Sequence, residues 1–120
     1  MRDSRIYLIH IRDCIARIKE YTSEGKQAFL EDLKTQDAVI RNLEVMSESV
    51  SQLPSQWTAA HPDIEWKKIK QLRNRLAHEY LSINLDIIWD IIERDIIELE
   101  ETIEAIPTVG FAYAQEFWDL

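Results

Sequence analysis

Cysteine occurs once in this 120-residue chain, glycine twice and proline three times. One cysteine makes no internal disulfide and fits no multi-cysteine zinc pattern, which makes a reducing cytoplasm its simplest home. So few glycines and prolines leave few places for tight turns, and long helices are expected. No apolar run approaches membrane-spanning length, and the opening "MRDSRIYLIH" lacks the layout of a signal peptide. The expectation is a cytoplasmic chain with no membrane partner.

Positive charge is also scarce. Fourteen Lys and Arg stand against twenty-two Asp and Glu, a net charge of −8. That balance opposes general nucleic-acid binding, which is driven by phosphate contact. Its distribution matters more than its sum. Lys67, Lys68, Lys70, Arg73 and Arg75 fall within nine positions, and after Leu76 only Arg94 is basic against eleven acids. An acidic body then confines any RNA contact to one patch, with Lys67, Lys68, Lys70 and Arg75 as its backbone-binding residues.

With 46% hydrophobic and 30% charged residues, the chain has the balance of one globular domain with a single core. Leu8, Ile11, Ile15 and Ile18 predict a first helix capped by Ser4 and running to about Tyr21, with Gly25 as its breaker. "QAFLEDL" allows a short extra helical turn. Thr35 looks like the cap of a second helix with Val39, Leu43, Met46 and Val50 inward, followed by a loop, "PSQWTAAHP". A third helix is expected from Pro62 or Asp63, with Trp66, Ile69, Leu72 and Leu76 on its inner stripe. "YLSIN" interrupts the pattern, and Asn84 caps a fourth helix to about Ile106, stopped by Pro107 and Gly110. These helices predict an all-α antiparallel four-helix bundle over residues 1–106, followed by an aromatic tail, 107–120, expected to dock. The wide apolar stripes of the first and fourth helices point to a dimer.

The chemistry concentrates in "RNRLAHEY", Arg73 to Tyr80, at the end of the third helix. Cleavage of RNA through its 2′-hydroxyl needs a proton carrier near neutral pKa, a cation for the developing phosphorane charge, and a proton for the leaving oxygen. Histidine supplies proton transfer, arginine grips phosphate oxygens with a two-pronged fork, and asparagine orients either group. No metal is needed. Yet a regular helix turns Arg73 and His78 about 140° apart, so one phosphate between them requires a distorted helix or a second subunit. Asn74 and His78 share a face away from the core, Arg73 has room beside the small Ala77, and Arg75 with Glu79 reads as an ordinary surface pair. By itself, an arginine and a histidine on one helix are more often structural than catalytic.

The stretch resembles the Arg-x4-His-x-Tyr motif of HepT-like toxins, a branch of the HEPN superfamily, with Arg73, His78 and Tyr80 at the motif positions and Asn74 at the polar one. The flanks in "IEWKKIKQLRNRLAHEYLSINLDIIWDII" and "TQDAVIRNLE" are similar too, over residues 5–106. Met46 to Ser49 departs from the glycine-glutamate-alanine step that is frequent there. The resemblance implies a HEPN-like bundle that dimerises with both motifs on one cleft. It also implies a metal-independent endoribonuclease without cofactors, acting on tRNA or mRNA through Arg73, His78 and Asn74. Its setting would be a type VII HepT/MntA toxin–antitoxin pair, in which an MntA-like nucleotidyltransferase, using ATP, adenylylates Tyr80. The alternative is a HEPN interaction module that binds a nucleotidyltransferase or a nucleotide without cutting RNA.

Other candidates are weaker. His10 and Cys14 are one turn apart, but two ligands without a third make a poor metal site. His61, before Pro62, reads as a loop residue. None of the three histidines follows a glutamate by three positions, as a di-iron bundle requires. Trp57, Trp66, Trp89 and Trp118 are too scattered for a base-stacking platform and read as core or interface.

Overall fold

The structure is a computed structural model that describes residues 3–106, with every side chain in that span except that of Tyr80. Pro107, Gly110, Trp118 and the expected docking of the tail fall outside the described residues. All regular elements among the described residues are helical.

Helix α1 (Arg5–Tyr21) has the predicted stripe, and Leu8, Ile11, Ile15 and Ile18 are each 0% exposed. Its cap differs from expectation. Ser4 adopts helical dihedrals and its side chain caps nothing. The Asp3 carboxylate instead accepts the Arg5 backbone N–H at 2.9 Å, and a carboxylate also complements the partial positive charge of a helix start. Beyond Tyr21, Gly25 takes φ 96°, a left-handed conformation that costs side-chain-bearing residues energy. The chain turns there into α2 (Lys26–Glu31), the expected extra turn, whose Phe29 is buried.

Helix α3 (Leu33–Ser51) begins two residues before the expected Thr35 cap. Asp32 is the true cap, accepting from the Lys34 N–H at 3.2 Å, while the Thr35 hydroxyl donates to the same carboxylate at 2.6 Å. Both carry a competent capping oxygen, and the extended backbone at Asp32 decides between them. Ser47, where the family pattern often has glycine, is fully buried. Its hydroxyl donates to the Leu43 carbonyl at 2.8 Å, so helices pack closely there without leaving a polar atom unsatisfied.

The segment read as a plain loop contains α4 (Ser55–Ala59). Helix α5 (Trp66–His78) starts later than Pro62 or Asp63 because those residues are spent on a turn. The His61 carbonyl accepts from the Ile64 N–H at 3.3 Å and from the Trp66 indole at 2.9 Å. Buried Ile64 anchors the turn. After a 3-10 turn (Tyr80–Ser82), Asn84 caps α6 (Leu85–Asp90) as expected, accepting the Asp86 N–H at 2.9 Å. The last helix is not uniform. A π-helical stretch (Ile91–Asp95) joins α6 to α7 (Ile96–Ala105). Trp89, read as core or interface, is buried against Phe29 with ring centroids 5.6 Å apart, its indole donating to Glu93 at 2.7 Å.

Helix α3 is the central wall, packing on α1 at one side and α5 at the other, while α7 backs α1. Each aliphatic side chain enclosed between them contributes about 1.5–3 kcal/mol. Lys19 of α1 reaches Glu100 of α7 at 3.1 Å, and Lys26 reaches Asp86 at 3.2 Å. On α5 only Leu76 is buried, and Trp66, Ile69 and Leu72 remain half-buried. Among the described residues no helix is long and apolar enough to cross a membrane.

Cys14 is 1% exposed in this core. Burial pushes its thiol above the ordinary value, a rise that Arg17 only partly opposes. The reactive thiolate is therefore scarce as well as enclosed. We expect a thiol reagent at pH 8 to label Cys14 no faster than the fold opens, and rapid labelling of the native chain would contradict this packing.

Candidate functional site

Two grooves flank α5, one lined by Arg73 and the other by Lys68 and Arg75, while Lys67 and Lys70 line neither. The first holds about 560 Å³ and is lined by Tyr7 and His10 of α1, Arg41, Glu44 and Glu48 of α3, and Arg73 and Ala77 of α5. The second, about 610 Å³, lies between α5 and the π-helical stretch, with Lys68, Arg75, Ile91 and Asp95 among its lining residues.

Arg73 enters the first groove because the helical period sets it beside the inner stripe, and Ala77 one turn later leaves the space open. Its guanidinium Nε donates to Glu48 Oε2 at 2.8 Å, and both side chains are about half exposed. In water-accessible surroundings such a pair contributes at most about 1 kcal/mol, so it orients Arg73 without locking it. A phosphate could replace the carboxylate on the same fork.

His78 is the last residue of α5, exposed, and lines neither groove. Within one chain, His78 therefore does not share the groove lined by Arg73. Asn74 does not simply share the face of His78. Its side-chain oxygen accepts a long, weak hydrogen bond from Arg73 Nη1 at 3.5 Å. Arg75 pairs with Glu79 at 3.3 Å, the surface pair anticipated from their spacing. Lys68 pairs with Glu65 at 3.2 Å, and Lys67 and Lys70 stand exposed. Tyr80 opens the 3-10 turn, and its side chain lies outside the described part of the structure.

Three residues that line the groove with Arg73 were not linked to it by the sequence: Glu48, His10 and Tyr7. Glu48 stands at the glutamate of the glycine-glutamate-alanine step from which Ser47 and Ser49 depart, so a signal existed for it. For Tyr7 and His10 the signal was their one-turn spacing at the edge of the α1 stripe, without any hint of what they face. The metal pairing of His10 with Cys14 finds little support in their environments. Cys14 is enclosed in the core, whereas His10 lines the open groove.

Comparison with known proteins follows the same residues. The family profile described as Ribonuclease HepT-like matches residues 11–106. A Methanocaldococcus jannaschii protein named "Putative RNase MJ0127" is 41% identical over 110 residues, covering 88% of this chain and 91% of that protein. The "Probable ribonuclease HepT" of Thermococcus cleftensis is 34% identical, covering 88% and 96%. The "mRNA nuclease HepT" of Shewanella oneidensis is 27% identical, covering 80% and 90%. No solved structure matches the chain. An arginine fork in an open groove, on a helix ending in the motif histidine, sits well inside the matched region, and the chain belongs to the HepT-like ribonuclease family and is a ribonuclease.

Proposed function

We propose that the chain is the toxin of a HepT/MntA toxin–antitoxin pair, a metal-independent endoribonuclease that cuts tRNA or mRNA through Arg73, Asn74 and His78. The observation that carries this reading is the intact Arg73-x4-His78-x-Tyr80 motif, with its guanidinium presented in an open groove. Arg73 takes the phosphate oxygens in place of Glu48 and stabilises charge as the 2′-oxygen attacks. His78 moves a proton, and Asn74 steadies the guanidinium. Lys67, Lys68, Lys70 and Arg75 hold the flanking backbone. The relative named for mRNA supports that substrate. The test is expression without a partner, followed by RNA analysis. Wild type should arrest growth and fragment RNA, and His78→Ala should do neither. Intact RNA with wild-type protein would remove the nuclease-toxin reading.

The same proposal includes a HEPN-like four-helix bundle paired as a two-fold dimer. Divergence of Arg73 and His78 supports it, since a second copy brings a histidine toward each arginine. So does unspent apolar surface: the α5 stripe is half-buried, Leu81 is 97% exposed and Ile87 47%. We expect sedimentation at micromolar concentration to give a dimer. A monomer that cleaves RNA would sink the two-fold arrangement.

A further inference from the structure

Arg41 is the other arginine lining the groove that holds Arg73, and it comes from α3 rather than from the basic cluster of α5. The period of α3 turns it toward that space. Glu44, Val45 and Glu48 follow Arg41 by three, four and seven residues, the spacing of one helical face, and all four line the groove. Arg41 therefore stands about 10 Å along α3 from Glu48, on the same side of the helix. Glu48 is the residue that meets Arg73, at 2.8 Å. The two arginines thus serve points of one groove about two helical turns apart.

They are held differently. Arg41 meets Glu44 only at 3.8 Å, beyond hydrogen-bond reach, and its side chain is 73% exposed. So loose and exposed a pair contributes little and exchanges readily for another anion. The cations of the α5 cluster do not compete for this place: Lys67, Lys68, Lys70 and Arg75 are absent from the groove's lining, and Lys68 and Arg75 line the other groove. A volume of about 560 Å³ is also more than a single phosphate fills.

Resting on the nuclease reading, we propose that Arg41 is a second phosphate-binding residue, taking a neighbouring phosphate of the RNA strand whose reacting phosphate lies on Arg73. Its part is to hold the strand, not to react. Two phosphate contacts about two turns apart set the register of the strand along α3. Glu44 and Glu48 are the anions that the strand displaces.

The experiment measures binding of a single-stranded oligonucleotide across a salt series, with every 2′-hydroxyl replaced by hydrogen so that the phosphates remain and nothing can be cut. Wild-type full-length protein is compared with Arg41→Ala, Glu44→Gln and Lys34→Ala, and melting temperatures and RNA cleavage are recorded on the same preparations. Arg41→Ala should melt as wild type does and raise Kd about tenfold. Its slope of log Kd against log salt should fall by about 0.7, the value of one phosphate contact on a single strand. In cleavage it should raise KM by a similar factor and leave kcat within about threefold. Glu44→Gln frees Arg41 and should tighten binding, a gain that a misfolded variant does not imitate. Lys34 is exposed on the same helix and lines neither groove. Lys34→Ala removes the same charge and should bind within about twofold of wild type.

An unchanged Kd and salt slope in Arg41→Ala overturn the proposal, as does a wild-type protein that does not bind the strand. An equal loss in Lys34→Ala overturns it too, because the effect is then one of net charge. If His78→Ala abolishes cleavage while Arg41→Ala binds and cleaves like wild type, the nuclease reading stands and this one falls. Binding that depends on Arg41 in a chain that cuts no RNA leaves the phosphate contact standing and removes the nuclease reading.

Discussion

Arg73→Ala should lower RNA cleavage by a factor of about 10² to 10³, the usual loss when one charge-stabilising donor is removed from a transition state. The argument lies in the groove. Arg73 is half exposed, paired with Glu48 at 2.8 Å and braced loosely by Asn74 at 3.5 Å. Removing it subtracts the fork that would hold phosphate and leaves the Glu48 carboxylate facing the space an anion must enter. Repulsion then adds to the lost attraction, so KM should rise as well as kcat fall. Glu48→Gln separates the two effects, because in a double variant with Arg73→Ala it should recover part of the KM and little of kcat. The folded state should hardly notice, since an exposed ion pair contributes about 1 kcal/mol or less. His78→Ala should cost about 10² to 10⁴ in kcat as a lost proton carrier, again without a change in melting temperature. Asn74→Ala should fall between wild type and Arg73→Ala, because its hydrogen bond is long and acts through the arginine. Steady-state kinetics with thermal melts on the same preparations checks all of these, and full activity in Arg73→Ala would remove phosphate stabilisation from its proposed role.

What the sequence revealed and what it hid follow one physical division. Apolar periodicity is a local property, and it placed Leu8, Ile11, Ile15 and Ile18 in the core as it placed Val39, Leu43, Met46 and Val50. Asn84 was legible as a cap because its side chain and the following helix are adjacent in the chain. The first helix starts after Ser4 as the sequence predicts, with Asp3 rather than Ser4 accepting the Arg5 N–H, while the start of the second was misplaced where two competent oxygens competed, Asp32 over Thr35. The backbone conformation that chooses between them is set by the packed helices, not by the residue type. Pro62 misled for a similar reason, since its fixed φ serves a turn as well as a first helical position. The π-helical stretch has no compositional mark, whereas Trp89, read as core or interface, is buried.

The site divides in the same way. The separation of Arg73 from His78, and the room beside Ala77, came from the helical period alone. The groove itself did not. Tyr7 and His10 precede Arg73 by more than sixty positions, and Glu48 by twenty-five. Only the packing of α1 and α5 on either side of α3 brings them to one place. A sequence can show which residues carry chemistry on one helix. Which partners the other helices supply is a tertiary fact.

Tyr80 carries the second large effect expected of this chain. Co-expression with an MntA-like nucleotidyltransferase should add the mass of one or more adenylates to it and abolish toxicity. The position favours a switch. Tyr80 opens the 3-10 turn that ends the motif helix, two residues after exposed His78. A residue where α5 gives way to a tight turn can be reached by another enzyme more readily than one within the helix. The balance of the modification reaction is simple. The tyrosine oxygen bonds to the α-phosphorus of ATP, pyrophosphate leaves, and the phenolic proton is released to solvent. Each adenylate would add a bulky base, a sugar and at least one negative phosphate charge at the turn that follows the motif helix. Such a group can satisfy Arg73 in place of RNA, and can exclude the strand by bulk as well as charge. A modified toxin should therefore bind RNA weakly and cleave it below detection. Tyr80→Phe should stay active, carry no added mass and remain toxic beside the partner, because the phenylalanine ring keeps the shape and loses the acceptor oxygen. Intact-mass and peptide mass spectrometry with parallel growth curves decides the matter. Complete neutralisation of Tyr80→Phe without added mass anywhere would mean that the partner silences the toxin by binding alone.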